Sequence, residues 1–174
     1  MTVKKKSEYK VLILMGSASD AGIMRAAYDV LNDFGVPVKM AVSSAHRTHE
    51  RTARLVKQAV KDGAKCFIIG AGMAAHLAGV VAAQTTLPVI GVPIDASTLG
   101  GLDALLSTVQ MPPGVPVASM GIGKAGARNA GLFAVEMLAS GDDKLQNKLV
   151  EFRKAQAKKV VDADRKLAKE LEKG

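Results

Sequence analysis

The sequence predicts a doubly wound α/β domain built on a parallel sheet, and three observations carry that expectation. Its strand-like segments are short continuous apolar runs, such as YKVLILMG and KCFIIGAG, without apolar–polar alternation; strands buried on both faces of a parallel sheet read this way. Between them lie segments whose apolar residues recur at helical spacing. Five strands alternate with helices, an order that right-handed crossovers turn into one sheet covered on both sides.

The first strand ends near Met15 in a Gly-Ser turn. From Asp20 to Phe34 apolar residues fall at Ile23, Ala26, Ala27, Val30, Leu31 and Phe34, and Gly35 with Pro37 stops this helix. VPVKMAVSS (36–44) is the second strand. HERTARLVKQAVKDG (49–63) is a helix with Leu55, Ala59 and Val60 on one face, ended by Gly63. KCFIIGAG (65–72) is the third strand and AAHLAGVVAAQT (74–85) the next helix. LPVIGVPI (87–94), GGLDALLSTVQM (100–111), VPVASMGI (115–122) and ARNAGLFAVEMLAS (127–140) continue as strand, helix, strand and helix. Beyond Gly141 a long charged segment carries Leu145, Leu149, Phe152, Val160, Ala163, Leu167 and Leu171 on a stripe. It reads as an amphipathic helix or a pair of helices, with contact to a neighbouring subunit favoured over packing on its own domain. The expected organisation is a basic segment at 1–10, a catalytic domain at 11–141 and a helical extension at 142–174.

A chain of 174 residues with 48% hydrophobic content and 17 glycines can bury the core of one ordinary domain. It has no Trp and 3% aromatic residues, which argues against a base-stacking nucleic-acid surface. Of the net charge of +8, residues 1–10 hold +3, residues 141–174 hold +3 and the long middle +2. The excess sits in the tails, where solvated ends compete with a polyanion or membrane footprint. Cys66, the lone cysteine, lies in an apolar run and reads as a buried thiol in preference to a nucleophile. The run VLILMG is too short for a signal peptide core, and no stretch approaches the length of a membrane span. A cytoplasmic protein without nucleic-acid or membrane partners is expected.

In an open parallel sheet, ligands bind beyond the carboxyl ends of the strands. That edge collects GSASD (16–20), SSAHR (43–47), GAGMAAH (70–76), PIDAS (93–97) and GIGKAGARN (121–129). The first and third loops, rich in small residues and leading into helices, can hold a phosphate or carboxylate. Neither the dinucleotide fingerprint nor the Walker spacing occurs, so a tightly held NAD or ATP is not indicated. Asp20 can cap a helix or accept hydrogen bonds from ribose hydroxyls, and Ser17 and Ser19 share that ambiguity. Arg47 can form a surface ion pair or grip a phosphate with its fork of donors. His46 and His76 both fall at strand ends, whereas His49 enters the following helix. Two imidazoles without accompanying thiolates or carboxylates make a poor metal site, but one suffices for general acid–base chemistry. No nucleophile elbow G-x-S-x-G is present.

The blocks MGSASD, SAHRT, GAGMAAHLAG, LPVIGVPI and STVQMPPGVPVASMGIGKAGARNA resemble the signatures of the N5-carboxyaminoimidazole ribonucleotide mutase family, over about residues 11–155. The resemblance implies a flavodoxin-like three-layer domain, a homo-octamer, no metal or organic cofactor, and movement of a carboxylate from the exocyclic nitrogen to C4 of an aminoimidazole ring. It also implies functional coupling to the ATP-dependent carboxyaminoimidazole ribonucleotide synthase. Carried over by position, Ser17, Asp20 and Arg47 match the nucleotide-binding residues, joined by Gly16, Ser19, Ser44, Ala45, Gly72, Met73 and Leu77. His46 matches the catalytic histidine, with His76 beside it as a second catalytic candidate. Three residues depart from the family pattern: Met73 stands where a second glycine is usual, Ala78 where proline is usual, and His49 where proline usually follows SAHRT. The first two fall in the loop expected to close over the carboxyl group. A related class that carboxylates the aminoimidazole ribonucleotide directly with CO2 resembles Ser-Ala-His-Lys in its loop; Arg47 and AAHL place this sequence nearer the mutases. Direct carboxylation and a noncatalytic nucleotide-binding module are the alternative readings.

Overall fold

The computed structural model describes residues 9–172, and the chain divides into two compact units, one ending at Val135 and the other beginning at Glu136. Most of the basic segment expected at 1–10 lies outside the described residues.

The first unit is a five-stranded sheet of β1 (Val11–Met15), β2 (Val38–Val42), β3 (Cys66–Gly72), β4 (Val89–Ile94) and β5 (Ala118–Ser119). All neighbours run parallel, in the order β2-β1-β3-β4-β5. Its helices are α1 (Ala21–Asp33), α2 (His49–Asp62), α3 (Leu77–Ala82) and α4 (Leu102–Val109), with α5 (Gly123–Ala139) running across the boundary between the units. The continuous apolar runs have the cause expected of them: every residue of β1 and β4 is buried. Leu12, Leu14, Phe67 and Ile69 pack with Val56 and Ala59 of α2, Leu77, Ala78 and Val81 of α3, and Ala104 of α4. On the other face Gly70 leaves room for Met24 of α1, whose sulfur a β-carbon there would strike. Helices on both faces make the flavodoxin-like three-layer arrangement, in which each fully buried large aliphatic stabilises the fold by about 1.5–3 kcal/mol.

Four elements differ from the sequence expectation. The helix expected at 74–85 is only Leu77–Ala82, because the chain turns between Gly72 and His76: Met73 is left-handed (φ 55°) and the His76 N–H bonds the Ala74 carbonyl at 2.8 Å. The strand expected at 115–122 pairs over two residues, preceded by Pro112, Pro113 and Pro116, which bring no N–H to a ladder. The helix expected from Ala127 begins at Gly123, so the last four residues of GIGKAG (121–126) are helical. On α2 the buried face is Thr52, Val56 and Ala59, while Val60 is exposed; the reading that grouped Val60 with Ala59 was wrong by one helical position, about 100° around the axis.

In the second unit, α6 (Asp143–Leu171) is one continuous 29-residue helix. The Asp142 side chain caps it by accepting the N–H groups of Lys144 and Leu145 at 3.0 and 3.1 Å, the satisfaction that a helix start requires. Arg153 reaches back to Glu136 at 2.8 Å.

Candidate active site

Strand order reverses between β1 and β3, since the chain leaves β1 outward to β2 and returns to the other side of β1. Ligands of such sheets settle outside this switch point. A cleft of about 610 Å³ opens there, walled by the loops that follow β1, β2 and β3. The loop roots are tied together: the Gly16 N–H bonds the Gly70 carbonyl at 3.1 Å, and the Ser43 N–H bonds the Met15 carbonyl at 2.9 Å.

After β1, Ser17 caps a short 3-10 turn (Ala18–Asp20), its hydroxyl oxygen accepting the Ser19 N–H at 3.3 Å. Asp20 answers by accepting the Ser17 N–H at 3.0 Å, and the Ser19 hydroxyl lies 2.8 Å from the Ser17 oxygen and 3.3 Å from the Asp20 carboxylate. Ser17 is thus the cap of this turn and Asp20 its reciprocal acceptor, while α1, at whose start Asp20 stands, receives no side-chain cap from it. Asp20 is buried at 6% exposure, which pushes its carboxyl above the ordinary range; the Ser17 N–H and Ser19 hydroxyl pull it partly back. Gly16, Ser17, Ser19 and Asp20 all line the cleft.

After β2, a chain of hydroxyls holds the turn. Ser43 and Thr52 share a buried hydrogen bond of 2.8 Å, and Thr48 accepts the Ser44 N–H at 2.9 Å while donating to the Ser44 carbonyl at 3.1 Å. This network presents Ser44, Ala45, His46 and Arg47 to the cleft. The Arg47 guanidinium makes only long contacts of 3.5 Å, to the Ser44 hydroxyl and the Gly16 carbonyl. Among the described residues no carboxylate pairs with it, which leaves its fork of donors open to an anion.

After β3, Gly72, Met73 and Leu77 line the cleft. A side chain at Gly72 is barred, since a β-carbon would stand 2.6 Å from that of Ala96 and 3.1 Å from the Ile94 carbonyl. His76 is not part of the lining; its Nδ1 lies 2.8 Å from His46 Nε2, with the rings edge to face at 77°. One nitrogen of that pair must carry the proton, so His46 has a partner able to hold its ring and exchange a proton with it. His49 is exposed at the start of α2 and outside the cleft lining.

Sequence reasoning missed Ala71, Ala74 and Ala96 as lining residues, and Ser43, Thr48 and Thr52 as the network behind the second loop. Small apolar walls leave no residue-level signal, but the hydroxyls at 43, 44 and 48 were visible as a cluster. Among the described residues no group of three or more His, Cys, Asp and Glu side chains is placed to hold a metal, and no helix is long and apolar enough to cross a membrane.

This cleft can be set beside known proteins. The family model described as AIR carboxylase matches residues 10–159, which takes in every loop of the site. The chain belongs to the AIR carboxylase family. It is 50% identical over 157 residues to the N5-carboxyaminoimidazole ribonucleotide mutase of Methanocaldococcus jannaschii, covering 90% of this chain and 96% of that one. To the mutase of the same name from Haemophilus influenzae it is 46% identical over 153 residues, 88% of this chain and 93% of the relative. The crystal structure of Treponema denticola PurE superposes with a TM-score of 0.82 at 28% identity, covering 90% of this chain and 97% of that one. As an AIR carboxylase family member, the chain combines a flavodoxin-like sheet with a C-terminal helix.

Proposed function

We propose that this chain is an N5-carboxyaminoimidazole ribonucleotide mutase of purine biosynthesis, an isomerase that converts its substrate to 4-carboxy-5-aminoimidazole ribonucleotide. The observation that carries the reading is one cleft holding an uncommitted guanidinium, a buried carboxyl and a paired imidazole within a chain close to half identical to mutases of that name.

The residues divide the work by their chemistry. Arg47, with Ser17 and Ser19 at the first loop, holds the phosphate, and Asp20 accepts the ribose hydroxyls. Gly72, Ala45 and Leu77 shape the space around the ring, where small side chains let it approach the backbone. His46 begins as the imidazolium and gives its proton to the exocyclic nitrogen of the carbamate. The N–C bond breaks, its electron pair stays on nitrogen, and CO2 is released beside the ring. C4 of the aminoimidazole then attacks CO2, forming the C–C bond and leaving positive charge on the ring amidine. The neutral His46 removes the C4 proton, which restores the aromatic ring and the imidazolium. Protons balance without a cofactor. Such acid–base assistance contributes about 10²–10⁴ in rate, and holding CO2 against the ring adds a proximity term. His76 acts behind His46 as its proton partner.

The functional assembly is a homo-oligomer, an octamer in this reading, with α6 packing on a neighbouring subunit. It works in the cytoplasm, with flux coupled to the ATP-dependent synthase that makes its labile substrate. The test is the rate of C4-carboxylated product from freshly made N5-carboxyaminoimidazole ribonucleotide, without ATP or metal, for the wild type and His46→Asn. A fast wild type and a folded, inactive variant are expected. A wild type no faster than the spontaneous background would overturn the assignment.

A further inference from the structure

Thr48 stands where α2 begins, the position from which a threonine hydroxyl ordinarily accepts the N–H of the second or third helical residue. It makes no such bond, and α2 starts without a side-chain cap. The hydroxyl turns the other way, back into the loop. The Ser44 N–H donates to Thr48 Oγ1 at 2.9 Å, Oγ1 donates to the Ser44 carbonyl at 3.1 Å, and the same carbonyl accepts the Thr48 N–H at 2.9 Å. Both backbone polar groups of Ser44 therefore end on one residue. The Ser44 hydroxyl stays inside the loop as well, accepting the Arg47 N–H at 3.3 Å.

These bonds staple residues 44–48 into a closed turn, and the two long side chains that the turn carries are His46 and Arg47. Residues 44–47 line the cleft and Thr48 does not. The side contacts of the Arg47 guanidinium are long, 3.5 Å, so its direction depends on where the turn holds its backbone. His46 meets His76 at 2.8 Å only while the turn after β2 keeps its distance from the loop after β3. Where no loop competes for the side chain, as at Asp142, the capping residue does bond the helix start, accepting the Lys144 and Leu145 N–H groups. At Thr48 the cap is given up and the turn is held instead. One turn further on, Thr52 is buried, bonded to Ser43 at 2.8 Å and to the Thr48 carbonyl at 3.3 Å. Thr48 is exposed, so water can take over the bonds of Ser44 when its hydroxyl is removed, and the fold loses less than it would at a buried hydroxyl.

We infer that Thr48 is a positioning residue: its hydroxyl sets the turn that directs Arg47 to the phosphate and His46 to the reacting ring, without touching the substrate itself. This deepens the mutase reading and rests on it. Helix capping and site geometry make opposite demands on one hydroxyl, and the geometry of the site has it.

The experiment compares the wild type with Thr48→Ser, Thr48→Val and Thr52→Val. Turnover of N5-carboxyaminoimidazole ribonucleotide gives kcat and KM, calorimetry gives the affinity for the product 4-carboxy-5-aminoimidazole ribonucleotide, and thermal melts give stability. Thr48→Ser keeps the hydroxyl and is expected to stay close to the wild type. Thr48→Val keeps the shape and loses the bonds; its kcat is expected to fall about 10-fold to 10²-fold, the range a misplacement of this kind produces, with severalfold weaker product binding and a smaller drop in thermal midpoint than Thr52→Val. A hydroxyl that merely supports the fold would make losses of turnover follow losses of stability, with Thr52→Val the more impaired. That ranking overturns the inference, as does a Thr48→Val protein with kcat and product affinity within about twofold of the wild type, or a Thr48→Ser protein as impaired as Thr48→Val. Each of these leaves the mutase reading intact, whereas a wild type that forms no product sinks that reading and this inference together.

Discussion

Gly72→Ala offers a sharp test of how the fold serves the site. The added β-carbon would lie 2.6 Å from the Ala96 β-carbon and 3.1 Å from the Ile94 carbonyl oxygen. Comfortable carbon–carbon separation is about 3.5–4.0 Å, so the end of β3 must move away from β4 by about 1 Å. Neither obstacle is the flexible tip of a long side chain, and overpacking of this sort costs about 1–3 kcal/mol. The displaced segment leads directly into Met73 and His76, whose 2.8 Å bond orients His46. A 1 Å misplacement of a catalytic group can reduce turnover about 10²-fold. The expected result is a lowered thermal midpoint with retained secondary structure, and a fall in kcat much larger than any change in KM. Gly141→Ala, where a β-carbon meets nothing within 4 Å, serves as the control and should change neither. Turnover of Gly72→Ala within twofold of wild type would refute the claim that this close approach sets the geometry of the histidine pair.

Three further outcomes follow from individual side chains. Thr52→Val deletes the partner of the buried Ser43 hydroxyl and leaves only the longer 3.4 Å contact to Thr48; denaturant melts should show a loss of about 1–3 kcal/mol, and an unchanged midpoint would show that the network is dispensable. Asp20 has its carboxyl pushed up by burial, so the folded state takes up a proton more readily than the unfolded chain, and its contribution to stability declines as pH rises from 3.8 through the raised value. Melts across that range should therefore show Asp20→Asn gaining on the wild type as pH rises, while its KM worsens at neutral pH; a stability difference independent of pH would contradict the burial argument. The Cys66 thiol is buried and pushed up to about 12, so native protein at pH 8 should resist iodoacetamide until denatured; rapid alkylation of the folded protein would place the thiol elsewhere.

Legibility in the sequence varied with the range of the interactions involved. The buried strands were readable because their cause is local: an apolar run in β1 or β4 needs only its own residues to declare burial on both faces. Helix ends were readable where a glycine or proline marks them, as at Gly63, whose φ of 89° closes α2. The short α3 was not, because AAHLAGVVAAQT has helical composition throughout and the turn that consumes its start comes from packing of Gly72 against β4. For Arg47 and Asp20 the sequence offered alternatives, and the structure adds their neighbours: the Gly16 carbonyl at 3.5 Å from Arg47 and the Ser17 N–H at 3.0 Å from Asp20.

By itself the sequence determined that strands and helices alternate, that the strands are buried on both faces, and that Ser17, Asp20, His46 and Arg47 lie at their carboxyl ends. These are properties of windows of about ten residues, where periodicity and turn chemistry act. Only the tertiary structure decided that β1 lies between β2 and β3, which brings His46 to within 2.8 Å of a histidine 30 residues away and Arg47 beside Gly16. It also decided that residue 73 must be left-handed. Such outcomes depend on which strands pair and how closely β3 and β4 approach. Those are balances of packing among distant residues, and no local pattern records them.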